Sequence, residues 1–147
     1  MKKKVIAILL IVGAAVGLAA TTSYGRSQKT YKLTLLQGVR GDEFYISMAC
    51  GAKAAAAKLG NVKLDVQGPQ KFDASLQIPI LNGIAARRPD VIMMAPTDTK
   101  ALIAPMKAAK AAGIKVIEVD THVTDASISI SKIAIVEAPM EIGRAHV

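Results

Sequence analysis

The stretch QGVRGDEFY places an acid, Asp42, just ahead of two adjacent aromatics, Phe44 and Tyr45. A second acid, Asp120, ends the run KVIEVD and is followed by Thr121 and His122. A carboxylate accepts hydrogen bonds from vicinal hydroxyls, and an aromatic face stacks on apolar C–H surface. The set therefore suits an uncharged polyhydroxylated ring. Phosphate fits poorly. Gly38 and Gly41 have no third glycine and no Lys-Ser after them, so neither a dinucleotide fingerprint nor a Walker loop is present. Asp42 and Glu43 stand where the first helical amides would meet an anion, and they repel it. Arg40-Gly41-Asp42 is an adhesion tripeptide by letter only, and Asp42 serves better as a helix cap.

Each residue also has a plainer reading. Tyr45 can belong to the buried stripe of its helix, and Asp120 can be a turn carboxylate. Asp120 and His122 make a weak metal pair, because residues i and i+2 on an extended segment face opposite ways. Pro96-Thr97-Asp98 reads as a strand-to-helix turn in which Thr97 or Asp98 caps. Cys50 is the single cysteine, with His122 and His146 far along the chain. It is expected as a small buried apolar residue, not a catalytic thiol. No nucleophile–base set is found, so the expectation is a binding protein without enzymatic chemistry, cofactor or metal.

The elements that must position these residues alternate. Strands are expected over 32–37 (KLTLLQ), 62–67, 91–95 and 115–119, with 127–135 as a fifth. The run 91–95 (VIMMA) is continuously apolar, as for a central parallel strand. A helix is expected over 42–59, with Asp42 as N-cap, Gly60 beyond its end, and Tyr45, Met48, Ala49, Ala52, Ala56 and Leu59 on one buried stripe. A second helix is expected over 73–87, kinked or delayed by Pro79. A third should run from Thr97 or Asp98 to Ala112, closed by Gly113. The order β-α-β-α-β-α-β implies an α/β, Rossmann-like three-layer architecture, a parallel sheet with helices on both faces. Ligands of such sheets sit beyond the carboxyl ends of the strands, here 37–45, 68–72, 96–99 and 120–124.

Composition narrows the partners. The net charge is +8 and aromatics are 3% of residues. The charges are dispersed, without the basic stripe and interleaved aromatics that nucleic acid requires. Lys2, Lys3 and Lys4 precede an unbroken apolar and small-residue run from Val5 to Ala20. That is the pattern of a secretory signal peptide over 1–25, shorter than a comfortable membrane span; an uncleaved anchor is the alternative. The expected location is periplasmic or extracytoplasmic.

KLTLLQGVRGDEFYISMACGAKAAAAKLG and VIMMAPTDTKALIAPMKAAKAAGIKVIEVDT together resemble the type I periplasmic sugar-binding proteins, the ribose- and galactose-binding-like group that feeds ABC transporters. The resemblance runs over residues 30–135. It implies two similar lobes closing over one sugar, of which 26–140 would be the N-terminal lobe. It implies ligand contacts from Asp42, Phe44, Tyr45 and Asp120, and a small-molecule sugar or polyol and an ABC permease as partners; Thr121, next to Asp120, is the fifth expected contact on the reading of the residues themselves. Membrane contact would come only through the signal peptide or permease docking. Two positions depart from the family pattern. Ala95 stands where Asn is frequent, and Thr121 where the ribose type has Arg, so the ligand is expected not to be ribose. The lac-repressor-like regulators share the lobe but begin with a helix-turn-helix, where this chain carries an export signal. A sensor for a chemoreceptor or histidine kinase is the alternative within the class, and an exported α/β enzyme the alternative outside it. Residues 141–147 (EIGRAHV) match a translated sequencing adapter and are expected to be a non-native tail on a truncated gene fragment.

Overall fold

Leucine- and β-branched-rich runs form the strands, and the alanine-rich stretches between them form the helices, in the computed structural model, which describes residues 29–133. Strands β1 (Tyr31–Leu36), β2 (Val62–Gln67), β3 (Val91–Met94), β4 (Lys115–Val119) and β5 (Ser131–Ile133) alternate with helices α1 (Glu43–Leu59), α2 (Ala74–Ala86) and α3 (Ile103–Ala111). All strand pairings are parallel, in the order β2-β1-β3-β4-β5. The chain leaves β1 toward β2 on one side and returns across to β3 on the other. The crevice between the loops after β1 and β3 is therefore the topological switch point of the sheet.

Alternation along the strands divides two cores. Leu36, Ile92, Met94 and Val116 meet Leu81 and Ile84 of α2 and Met106 and Ala109 of α3. Leu35 and Val119 meet Tyr45 and Ala49 of α1 on the opposite face. The expected layer of helices on both faces is present.

Several local expectations are corrected. Cys50 is exposed, because α1 buries only Tyr45 and Ala49 and Cys50 lies a helical step off that stripe. Leu59 is 63% exposed at the helix end, outside the stripe expected to hold it. Pro79 does not delay α2. Asp73 caps the start by accepting from the Ser75 amide at 2.7 Å, and buried Gln77, Leu81 and Ile84 hold the helix on the sheet. Neither Thr97 nor Asp98 caps α3, which begins at Ile103. Asp98 instead accepts from the Lys100 and Ala101 amides and closes a separate turn. That start puts Pro105 in the first helical turn, where its missing N–H leaves no bond unmade. Residues 127–130 are not strand: Asp125 draws in the Ser127 amide and hydroxyl, and the chain turns there. The expected signal segment 1–25 and tail 141–147 lie outside the described residues.

Candidate functional site

Asp42 ends the loop after β1 with extended backbone, and one carboxylate oxygen accepts from the Phe44 and Tyr45 amides, at 2.9 and 3.4 Å. This cap fixes the direction in which α1 leaves the sheet. Its first turn sends the two aromatics apart. Tyr45 is 5% exposed and packs in the α1-side core, while Phe44 is 50% exposed. Their rings meet edge to face, 5.2 Å between centroids. The Tyr45 hydroxyl donates to Asp120 at 2.7 Å, across 75 residues of chain. Burial first, then the hydrogen bond and charge of Asp120 and the charge of Asp42, hold the Tyr45 phenol well above its usual value.

Asp120 follows β4 with φ 63°, in the left-handed region that a non-glycine residue occupies at a cost. Its amide donates to the Ile133 carbonyl at 3.3 Å, so β5 holds the turn. The Thr121 hydroxyl donates to the Pro96 carbonyl at 2.7 Å, tying the β4 loop to the β3 loop. Of the five residues expected as ligand contacts, Asp120 and Tyr45 are joined directly, and the Phe44 ring meets that of Tyr45. Asp42 acts on them through the helix start, and Thr121 turns its hydroxyl to the backbone.

Phe72 is a further aromatic of the mouth, carried by the loop after β2 and 51% exposed. A Cβ placed on buried Gly38 would meet the Tyr45 hydroxyl and would lie 2.6 Å from a Phe72 ring carbon. The absence of a side chain at Gly38 is what lets the Phe72 edge and the Tyr45–Asp120 pair share one place. Phe44 and Phe72 thus offer exposed ring surface around a buried phenol and a carboxylate. The signal for Phe72 in sequence was its place at a strand's carboxyl end and the scarcity of aromatics, five in the chain.

Below the mouth lies polar chemistry absent from the spacing argument. Gln77 of α2 is fully buried, as nearly is Gln37 after β1. Gln77 donates to the Gln37 and Ala95 carbonyls, and Gln37 donates to the Tyr45 carbonyl at 2.6 Å. Glu118 of β4, also fully buried, accepts from the Val123 amide at 2.7 Å and the Ser129 hydroxyl at 2.6 Å, and so shapes the loop after Asp120. The mouth can hold and orient a neutral polar ring, with one acid to accept from it.

Comparison with known proteins identifies the family of this fold. A model described as a periplasmic binding protein domain matches residues 34–138. A D-ribose/D-allose-binding protein of Pseudomonas aeruginosa is 24% identical over 90% of this chain and 42% of its own length. An ABC transporter solute-binding protein from Agrobacterium vitis, bound with α-D-tagatopyranose, is 39% identical. It superposes with a TM-score of 0.68 over 71% of this chain and 38% of its own. LsrB from Clostridium saccharobutylicum in complex with AI-2 is 25% identical, with a TM-score of 0.65 over 69% of this chain and 30% of its own. The chain thus spans less than half the length of these relatives.

Proposed function

The chain belongs to the periplasmic binding protein domain family, and from that premise we propose that it forms the N-terminal lobe of an extracytoplasmic solute-binding protein that delivers a sugar or sugar-like ligand to an ABC importer. The observation that carries this reading is the Tyr45–Asp120 pair at the carboxyl ends of the strands, flanked by exposed Phe44 and, over Gly38, Phe72. A carboxylate offers about four acceptor positions, so one bond from Tyr45 leaves Asp120 able to receive ligand hydroxyls. Phe44 and Phe72 supply ring faces for stacking, Asp42 orients the helix start, and Thr121 ties Asp120 to the β3 loop. Binding is the whole of the chemistry, with no catalytic step. Closure of a second lobe over the ligand would present the complex to the permease.

Solved relatives support a small sugar ring as the ligand class: one holds α-D-tagatopyranose and another is in complex with D-arabinose. The alternative reading for the same site is a ligand sensor for a chemoreceptor or histidine kinase. Calorimetric titration of the full-length gene product with D-ribose, D-allose, D-tagatose and linear polyols tests the site. Binding of at least one is expected, weakened about tenfold or more by Asp120→Ala, the scale of a lost charged hydrogen bond, and less by Phe44→Ala. A folded protein that binds none of them, or binds with both variants unaltered, removes the reading. Permease and ATPase genes beside the coding sequence favour transport, and a kinase gene favours sensing.

A further inference from the structure

We propose that Gln77, remote from the mouth surface, is the positioning residue of the site: it closes a ring of hydrogen bonds that sets Tyr45 against Asp120. The proposal rests on reading that pair as the ligand site. The ring can be followed link by link. Gln77 Nε2 donates to the Gln37 carbonyl at 3.1 Å. Gln37 Nε2 donates to the Tyr45 carbonyl at 2.6 Å. The Tyr45 hydroxyl donates to Asp120 at 2.7 Å. The neighbouring Thr121 hydroxyl donates to the Pro96 carbonyl at 2.7 Å. The amide of the next residue, Thr97, donates back to Gln77 Oε1 at 2.9 Å, and the Thr97 hydroxyl donates to the same oxygen at 3.0 Å. A second bond from Gln77 Nε2, to the Ala95 carbonyl at 2.7 Å, braces the end of β3.

Every hydrogen-bonding position of the Gln77 amide is thereby used: two N–H donors on two carbonyls, and two acceptor positions on one amide and one hydroxyl. The orientation of the amide follows, since the reverse would aim its oxygen at two carbonyl oxygens. The residue is fully buried, so no water substitutes for a missing partner without rearrangement. Its place is also specific. The Gln37 and Ala95 carbonyls lie just past the ends of the neighbouring strands β1 and β3, whose loops diverge at the topological switch point. Gln77 spans that crevice from below. No other standard side chain supplies two donors and a two-bond acceptor in this shape: Glu lacks the donors, and Met or Leu lacks everything but the volume.

The test uses the full-length gene product with Tyr45 observed by NMR of ring-labelled tyrosine. In Gln77→Met the Thr97 amide is expected to exchange about tenfold faster, the scale of one buried hydrogen bond. The Tyr45 phenol should titrate closer to its usual value, and affinity for whichever sugar of the panel binds should fall tenfold or more. Gln77→Glu keeps the acceptor for Thr97 and loses the donors. It should protect the Thr97 amide yet still move the Tyr45 titration. A folded Gln77→Met protein in which Tyr45 titrates as in the parent overturns the proposal, whatever happens to melting temperature. If the variants do not fold, the parent decides. The Gln77 side-chain amide protons must exchange far more slowly than those of exposed Gln70, and equal rates overturn the ring. A Tyr45 titration that follows Gln77 in a protein that binds no sugar keeps the ring and removes the ligand reading. Sugar binding with an unmoved Tyr45 does the reverse.

Discussion

Asp120 and Asp90 stand at opposite ends of the same sheet and are held in opposite ways. Asp90, at the amino end of β3, takes an ion pair from Lys29 at 2.9 Å and a hydrogen bond from the Lys32 amide at 2.8 Å. Lys29 is largely exposed, and its long side chain can exchange the acid for water or salt. Asp120 is bonded by a buried phenol, from a backbone fixed in the left-handed region, on loops braced by two buried glutamines. Charge is neutralised at the base, whereas position is specified at the mouth. Exposed ion pairs tolerate rearrangement. Buried hydrogen bonds do not, because each broken one leaves a group without water. Geometry is therefore concentrated at the end where a ligand would be read.

The largest break in this contrast should come from adding one methyl at the mouth. In Gly38→Ala the new Cβ would overlap the Tyr45 hydroxyl and sit 2.6 Å from the Phe72 ring. Phe72 is half-exposed and can swing away, but Tyr45 is held by Asp120 and by its core. The expected loss is about 2 kcal/mol in urea unfolding, typical of overpacking. Part of it should return in the Gly38→Ala, Phe72→Ala double variant. A Gly38→Ala protein as stable as the parent means that Tyr45 does not occupy that space.

Tyr45→Phe is smaller and more diagnostic. It deletes one hydrogen bond to Asp120 and keeps the ring in the core, for an expected loss of about 1 kcal/mol near neutral pH. Its pH dependence has a definite sign. The folded chain raises the phenol's proton affinity, by burial first and by Asp120 second. The Tyr45 contribution is therefore complete below the ordinary phenol value of about 10 and is lost as pH rises through the higher folded value. The parent's advantage over the variant at neutral pH should shrink steadily as pH rises above about 10. A difference independent of pH would mean that the hydroxyl is not on Asp120.

The fold was legible because its signals are local and repeated. VIMM, KVIEV and KLTLL carry strand character in themselves, and Asp42 and Gly60 bracket α1 with caps that need no distant partner. Asp42, Phe44, Tyr45 and Asp120 could be picked because they fall at strand ends. Their division of labour could not, since whether Tyr45 or Phe44 turns inward depends on the angle at which α1 leaves the sheet. Gln77 was invisible for a stronger reason. In sequence it is one polar residue in a helix, and its meaning lies in carbonyls 40 and 18 residues away. The start of α3 and the exposure of Cys50 were misjudged for a related cause. Asp98 has its own turn to close, and the width of a buried stripe is set by what packs on it, not by the alanines that could fill it.

The smallest effect should come from the base. Asp90→Asn keeps an acceptor for the Lys32 amide and removes the charge that faces Lys29. The Lys32 amide first, and the Lys29 ammonium after it, hold the Asp90 carboxyl below its usual range. A depressed carboxyl stabilises the fold above its unfolded pKa, and that contribution is lost as pH falls through the folded value. Melts of parent and variant should therefore differ slightly at neutral pH and low salt. The gap should narrow in high salt, as screening weakens an exposed pair. It should vanish at strongly acidic pH, while sugar affinity stays that of the parent throughout. A change in affinity would show that the base transmits to the mouth, and that the two ends of the sheet are less independent than the hydrogen bonds imply.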